Sequence, residues 1–335
     1  MMLWPNATRV LRELDLLKEI QTCSGANTHF LVRASTGNVL MNIALGKFDV
    51  PAVCIRRADL LKVLLEALPA EAIRLGSELD GIEQINGKVL VRFKNGLASE
   101  HDAVIGADGI RSRVRAELFG AVLPIYRGYT VWRGLAGYNG RAVPPGSNSE
   151  TWGSGKRFGI LNTGQGRFTW YAAANATVDR ADAPCGRKRE LLQMFRGWHE
   201  PIGELLAATE DADILKNPAY DLAPLRRWGL GRVTLLGDAA HPCTPNLGQG
   251  GCMALEDALV LAKCLSSLGK IEDALRRYEA LRLGRTRHIQ QRSRLMGNIG
   301  HWENRLVVAG RRAVTTVLPA KLFEYNLRRV YSYET

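Results

Sequence analysis

The sequence predicts an α/β fold in which a β-rich domain is inserted into a parallel-sheet domain and helices complete the chain. Three observations carry this. The apolar run "DAVIGA" (Asp102 to Ala107) stops at Asp108-Gly109, and the uncharged run Val233 to Leu236 stops at Gly237-Asp238, the second with the composition of a strand buried on both faces. Between them, from Tyr126 to Asn175, runs such as "YTVWRGLAG" and "GRFTWYAAA" are aromatic, β-branched and Gly-rich, with no helical period. From Gly250 almost everything reads as helix.

Taken in order, the chain opens on a helix from Asn6, with Val10, Leu11, Leu14 and Leu17 on one face and Arg9, Arg12, Glu13 and Lys18 away from it. Phe30 to Ile43 predicts a hairpin turning at Thr36-Gly37-Asn38, and "ADLLKVLLEAL" (Ala58 to Leu68) a second helix. Short strands follow around Ile82 and over Lys88 to Phe93, with a turn at Asn95-Gly96. After the β-rich middle, "CGRKRELLQMFRGW" and "PIGELLAA" are helical again. The expected division is 1–23, 55–120 and 224–270 as one discontinuous domain, 24–54 and 121–223 as the β-rich one, and 271–335 as a C-terminal helical region.

With 335 residues, 46% of them hydrophobic, the chain can bury at least one large core. Lys and Arg number 45 against 33 Asp and Glu, a net charge of +12 that attracts anionic ligands, membranes or nucleic acid without choosing among them. No nucleic-acid-binding module accompanies the charge. The six cysteines form no Cys-x-x-Cys pair, which argues against zinc or a disulfide framework and for a reducing cytoplasm. No apolar stretch approaches the roughly 20 residues of a spanning helix. The basic helical stretch from Asn304 to Tyr331, with Arg311, Arg312, Lys321, Arg328 and Arg329, fits a solvated helix face better than a peripheral membrane contact.

The stretch "LLGDAAHPCTPNLGQGG" (Leu235 to Gly251) holds the most chemistry. Asp238 lies just past the carboxyl end of a buried strand, where open α/β sheets bind ligands, and a carboxylate there accepts hydrogen bonds from polyol hydroxyls. Gly248, Gly250 and Gly251 let backbone approach a ligand, and the helix beginning near Gly250 offers unpaired amides and a positive dipole end. Taken singly, Asp238 is equally a cap on an ordinary strand-turn-helix.

The whole string resembles the second flavin-binding motif of the p-hydroxybenzoate-hydroxylase-like FAD-dependent monooxygenases. Two further matches stand in order: "VIGADGIRSRVR" (Val104 to Arg115) is similar to that family's Asp-Gly motif through Asp108, Gly109, Ser112 and Arg115, and "RADL" to its Arg-x-x-Leu through Arg57. The resemblance implies a Rossmann-like FAD-binding domain with an inserted β-sheet substrate domain. On the cofactor it places Arg57, Leu79, Asp108, Gly109, Asp238, Pro245, Gly248, Gln249, Gly250 and Gly251. It implies FAD as cofactor, NADH or NADPH as co-substrate, and oxygen transfer from O2 through a flavin hydroperoxide to a small aromatic or conjugated substrate. Trp132, Arg133, Arg157, Thr169 and Tyr171 are its substrate-side candidates. Arg157 is similar to a substrate-contacting arginine of bacterial urate hydroxylases, whereas Thr169 stands where those carry tyrosine. Arg157 and His241 are the catalytic candidates, His241 as a proton relay or as a hydrogen-bonded structural histidine.

The family's opening Gly-x-Gly-x-x-Gly unit has no match, since "GSGKRFG" (Gly153 to Gly159) has the wrong spacing. The expectation is a family member lacking its first βαβ unit, roughly 40 residues. The alternative is a catalytically inactive flavin-fold protein or binding module.

Overall fold

In the computed structural model, residues 1–46, 48–140, 142–178, 180–267, 269–317 and 330–333 are described. The chain runs β1 (Met2–Leu3), α1 (Pro5–Glu13), α2 (Leu17–Thr22), β2 (Ser24–Asn27), β3 (His29–Ala34), β4 (Val39–Ala44), β5 (Ala52–Ile55) and α3 (Arg57–Glu66). Next come β6 (Leu79–Ile85), β7 (Lys88–Phe93), β8 (Ala98–His101), β9 (Val104–Gly106) and α4 (Arg113–Phe119). β10 (Ile125–Gly137), β11 (Ser147–Trp152), β12 (Lys156–Asn162), β13 (Arg167–Asn175), α5 (Arg187–Met194), α6 (Ile202–Ala207) and β14 (Leu215–Asp221) form the middle. The last elements are β15 (Val233–Leu235), α7 (Gly250–Ser267), α8 (Ile271–Gly300) and α9 (Arg305–Val317).

Two units emerge: Met1–Leu64, Tyr126–Ala219 and Met296–Glu334 in the first, Leu65–Ile125 and Tyr220–Leu295 in the second. This grouping differs from the expected division. Residues 1–23 and 55–64 belong with the β-rich unit because β1 and β2 flank β5 in one antiparallel sheet. The chain also opens on a strand rather than directly on a helix. Met2 and Leu3 pair with Cys54 and Val53, a two-residue strand too short to show a period, before Pro5 begins α1.

The first unit is built on a seven-stranded sheet of order β14-β10-β13-β12-β11-β3-β4. Alternation along its strands sorts the two faces. Trp132, Phe158, Ile160, Phe168 and Trp170 pack with Leu191 of α5, Phe195 and the α6 residues Ile202, Leu205 and Leu206. Tyr129, Val131, Ala173, Ala219 and Tyr171 cluster on the other face.

In the second unit β9 and β15 are parallel, Val104 opposite Val233 and Gly106 opposite Leu235, and β6, β7 and β8 form an antiparallel meander. Val233 and Leu235 pack with Val260, Leu261, Leu275 and Tyr278 of α7 and α8, and Thr234 between them is buried as well, donating to Glu279, so β15 is covered on both faces as its uncharged composition requires. No helix among the described residues is long and apolar enough to cross a membrane. Lys321, Arg328 and Arg329 of the basic stretch lie outside the described residues.

Candidate functional site

In the second unit, β15 ends at Leu235 and a single helical turn, Gly237–Ala239, carries Asp238 to the surface. A second turn, Pro245–Leu247, ends at Gly248, whose φ of 61° and ψ of 26° lie in the left-handed region that glycine adopts most readily. α7 then starts at Gly250 and runs for 18 residues, long enough for its first-turn amides to present a positive end. A Cβ added to Gly250 would lie 3.7 Å from Asp238 Oδ1 and 3.8 Å from Cys243 Sγ, in ordinary van der Waals contact, so a side chain there would begin to fill the cradle that the carboxylate borders. Gly251 is exposed in the first turn of α7, and Pro245 and Gly248 are exposed beside it. Gln249 is buried, and its carbonyl accepts the Met253 amide at 2.8 Å.

What holds this loop is a charged network that sequence reading missed. Gly237 N–H donates to Asp257 Oδ2 at 3.0 Å, and His241 Nε2 donates to the same oxygen at 2.5 Å. Arg282 Nε donates to Asp257 Oδ1 at 2.6 Å and Arg282 Nη2 to Glu256 Oε2 at 2.6 Å, while Arg285 forks onto Glu256. Burial raises the Asp257 pKa, but His241 and then Arg282 outweigh it and hold the carboxyl below its ordinary value. α8 pins the far side of the loop as well: Gln290 Nε2 donates to Pro242 O at 3.0 Å and Ser293 Oγ to Thr244 O at 2.6 Å.

The Asp108 loop belongs to the same unit. Asp108 Oδ2 accepts the Arg113 and Val114 amides at 2.7 and 3.1 Å, ordering the first turn of α4, with Gly109 next to it at φ 80°. Arg115 is buried rather than presented to a ligand. It donates to Ala239 O at 2.8 Å and Ile110 O at 2.5 Å, which ties this loop to the Asp238 turn, and burial lowers its pKa against the opposing pull of Asp108. Leu79 begins β6, an edge strand, and packs against the core.

In the first unit Arg57 is exposed at the start of α3, while its neighbour Arg56 is committed to Asp59 at 2.7 Å. Arg133, Arg157, Thr169 and Tyr171 share the sheet face that α5 and α6 leave uncovered. Register sets this, since Arg133 and Gly159 both lie opposite Tyr171, and Leu135 and Leu161 opposite Thr169. Arg157 is 3% exposed, and its Nη1 donates to Glu150 Oε1 on β11 at 2.8 Å. Burial, and then the Glu150 carboxylate that accepts its hydroxyl proton, push Tyr171 well above its ordinary range. Trp132 points the opposite way: its ring is fully buried in the core against α5 and α6, which corrects its placement among the substrate contacts.

A parallel strand pair with an acidic turn, a glycine cradle at a long helix start, and a separate β-sheet unit with buried polar groups together define an FAD-binding α/β flavoprotein architecture. Residues 5–293 match the family model described as FAD binding domain. Aurachin C monooxygenase/isomerase of Stigmatella aurantiaca is 39% identical over 286 residues, 85% of this chain and 74% of that protein. Zeaxanthin epoxidase of Solanum lycopersicum is 37% identical over 293 residues, 81% of this chain but only 43% of that protein. Among solved structures, Klebsiella pneumoniae HpxO complexed with FAD and uric acid matches with a TM-score of 0.92 at 26% identity, over 99% of this chain and 87% of that one. The chain belongs to the FAD binding domain family of p-hydroxybenzoate-hydroxylase-like, FAD-dependent monooxygenases.

Proposed function

We propose that this protein uses FAD, NADH or NADPH, and O2 to hydroxylate or epoxidise a small aromatic or conjugated ring. The observation that carries the reading is Asp238, an exposed carboxylate at the carboxyl end of β15 beside the Gly250 cradle and the start of α7. These residues fit the ring and ribityl half of FAD. Asp238 accepts from polyol hydroxyls, and the α7 amides face a partly anionic ring edge. The chemistry FAD supplies when bound is two-electron reduction by the nicotinamide and activation of O2. The His241–Asp257 pair holds the loop, so His241 acts as a positioning residue. Arg157, Arg133, Thr169 and Tyr171 form the polar wall that orients the ring substrate.

The named relatives are enzymes, which supports catalysis over an inactive flavin-fold protein. The zeaxanthin epoxidase named for Solanum lycopersicum and the HpxO complex with uric acid both involve conjugated molecules, so the reading stops at that class. All six cysteines are free thiols, in keeping with a reducing, cytoplasmic setting. The test is to supply FAD, measure NADH and NADPH oxidation across a panel of ring compounds, and follow 18O from labelled O2 into the product. Oxidation that no ring compound stimulates, or products without label, would overturn the reading.

A further inference from the structure

His301 lies just past the end of α8, outside every motif of the sequence, yet it is 8% exposed. Its ring stacks on Tyr129 with centroids 4.1 Å apart and planes 23° apart, which puts it over the sheet face that carries Arg133, Arg157 and Tyr171. Nδ1 is 2.8 Å from the carbonyl oxygen of Gly297. A carbonyl only accepts, so Nδ1 carries the proton and the other ring nitrogen of a neutral imidazole is a bare acceptor. That nitrogen, Nε2, is buried and has no hydrogen-bond partner among the described residues. The surroundings forbid resolving this by protonation. Burial, with Arg157 and Arg311 nearby, pushes the pKa down to about 3.

The adjoining residues make bonds of their own. Arg157 is bound to Glu150, and its side chain lies against Gly300, where an added Cβ would come within 2.8 Å of Cδ and 2.9 Å of Nε. Asn175 Nδ2 donates to the His301 backbone carbonyl at 3.0 Å, and Arg311 to Ile299 O at 2.7 Å. The ring is therefore fixed by stacking and by its neighbours' backbone bonds, and one acceptor is left over. A buried acceptor without a donor is costly, and a ligand carrying a donor removes that cost.

We propose that His301 is a specificity-determining residue whose Nε2 accepts a hydrogen bond from an O–H or N–H group on the substrate ring. This rests on the monooxygenase reading of the same sheet face and narrows its substrate class to conjugated rings with a ring-attached donor. Rings lacking one leave Nε2 desolvated and unpaired, and are rejected on that account.

The experiment uses the full chain and matched probes: 1-naphthol with 1-methoxynaphthalene, and indole with 1-methylindole. Affinities are measured by calorimetry with FAD present, for wild type and for His301→Phe, which keeps the stacking ring and removes both nitrogens. The donor probe of at least one pair should bind about tenfold or more tighter in wild type, and the ratio should collapse toward one in the variant. In parallel, 15N spectra of histidine-labelled wild type should show His301 with Nδ1 protonated and Nε2 bare, the Nε2 resonance moving when a donor probe binds. No donor preference in either pair, a preference that survives His301→Phe, or a protonated Nε2 in the free protein overturns the proposal. These readouts are binding and spectroscopic, so absent NAD(P)H turnover would count against the monooxygenase reading and leave this test standing.

Discussion

His241 and Asp257 meet at 2.5 Å with neither side chain reaching solvent, sixteen residues apart in the chain and on opposite sides of the glycine loop. The same Asp257 oxygen takes the Gly237 amide, the residue just before Asp238. The surface carboxylate thus sits on a turn whose geometry is set from beneath by a buried hydrogen-bonded pair. The proposed flavin contact and the packing that holds it fall on adjacent residues.

Asp238→Ala should weaken flavin binding without unfolding the chain, because Asp238 is exposed and the turn is held by Asp257. Loss of a charge-assisted hydrogen bond to a ribityl hydroxyl is expected to cost about 1.5–3 kcal/mol, roughly 10- to 150-fold in affinity. Flavin fluorescence quenching measures it. An unchanged dissociation constant in a folded mutant removes Asp238 from the cofactor site.

Asp257→Asn should act on stability first. Removing one member of a buried ion pair leaves His241 and Arg282 uncompensated, at a cost of about 3–5 kcal/mol. The Asp257 pKa lies below its ordinary value, so its contribution is present above the unfolded carboxyl pKa of about 3.9 and is lost as pH falls through the folded value. Urea unfolding at neutral pH should therefore show most of the loss, with wild type and variant converging in acid. A variant as stable as wild type at neutral pH would show that the network is not what holds the turn.

Much of the fold was legible because its signals are local. The hairpin at Thr36-Gly37-Asn38, the strand ending before Gly237-Asp238 and the helix from Gly250 all announce themselves by turn residues or periodicity, and the structure has them as β3–β4, β15 and α7. β14 did not, since Pro218 argues against a strand; it is tolerated because β14 is the edge of its sheet. The charged network stayed hidden for a different reason. Glu256 and Asp257 sit in "MALEDALVL" like surface residues of an amphipathic helix, and only the return of α8 brings Arg282 and Arg285 to them. His301 follows a helix end and has no period to read. Its importance comes from what stacks on it.

His301 should leave a mark on acid stability. Its pKa falls from 6.5 to about 3 in the folded chain, so between those values the unfolded state binds the extra proton. Stability contributed at this site is therefore complete above the upper value and falls as pH drops through the window, by up to about 1.4 kcal/mol per pH unit. Arg157 and Arg311 face the ring and oppose its protonation; Glu150 and Tyr171 share the face. Urea midpoints from about pH 4 to 7 should fall more steeply for wild type than for His301→Phe. Parallel curves would mean that the imidazole titrates normally.

Gly300→Ala tests whether the position of Arg157, and not merely its charge, serves the substrate. The new Cβ would crowd the Arg157 side chain at Cδ, Nε and Cζ, 2.8 to 3.1 Å away, and the guanidinium cannot retreat freely because it is buried and bonded to Glu150. Either that bond opens or the end of α8 shifts, and in both cases the positive group moves while remaining in place chemically. Substrate KM should rise roughly tenfold, the equivalent of about 1.4 kcal/mol and the size of one charge-assisted hydrogen bond. Arg157→Ala should raise it at least as much. Flavin affinity should be unchanged in both, because neither Gly300 nor Arg157 is among the residues proposed to hold the flavin. The readouts are KM for the ring compound that best stimulates NAD(P)H oxidation and, separately, the flavin dissociation constant. A Gly300→Ala protein with wild-type KM would show that the sheet face tolerates a displaced arginine, and Arg157 would then be a structural partner of Glu150 rather than a substrate contact.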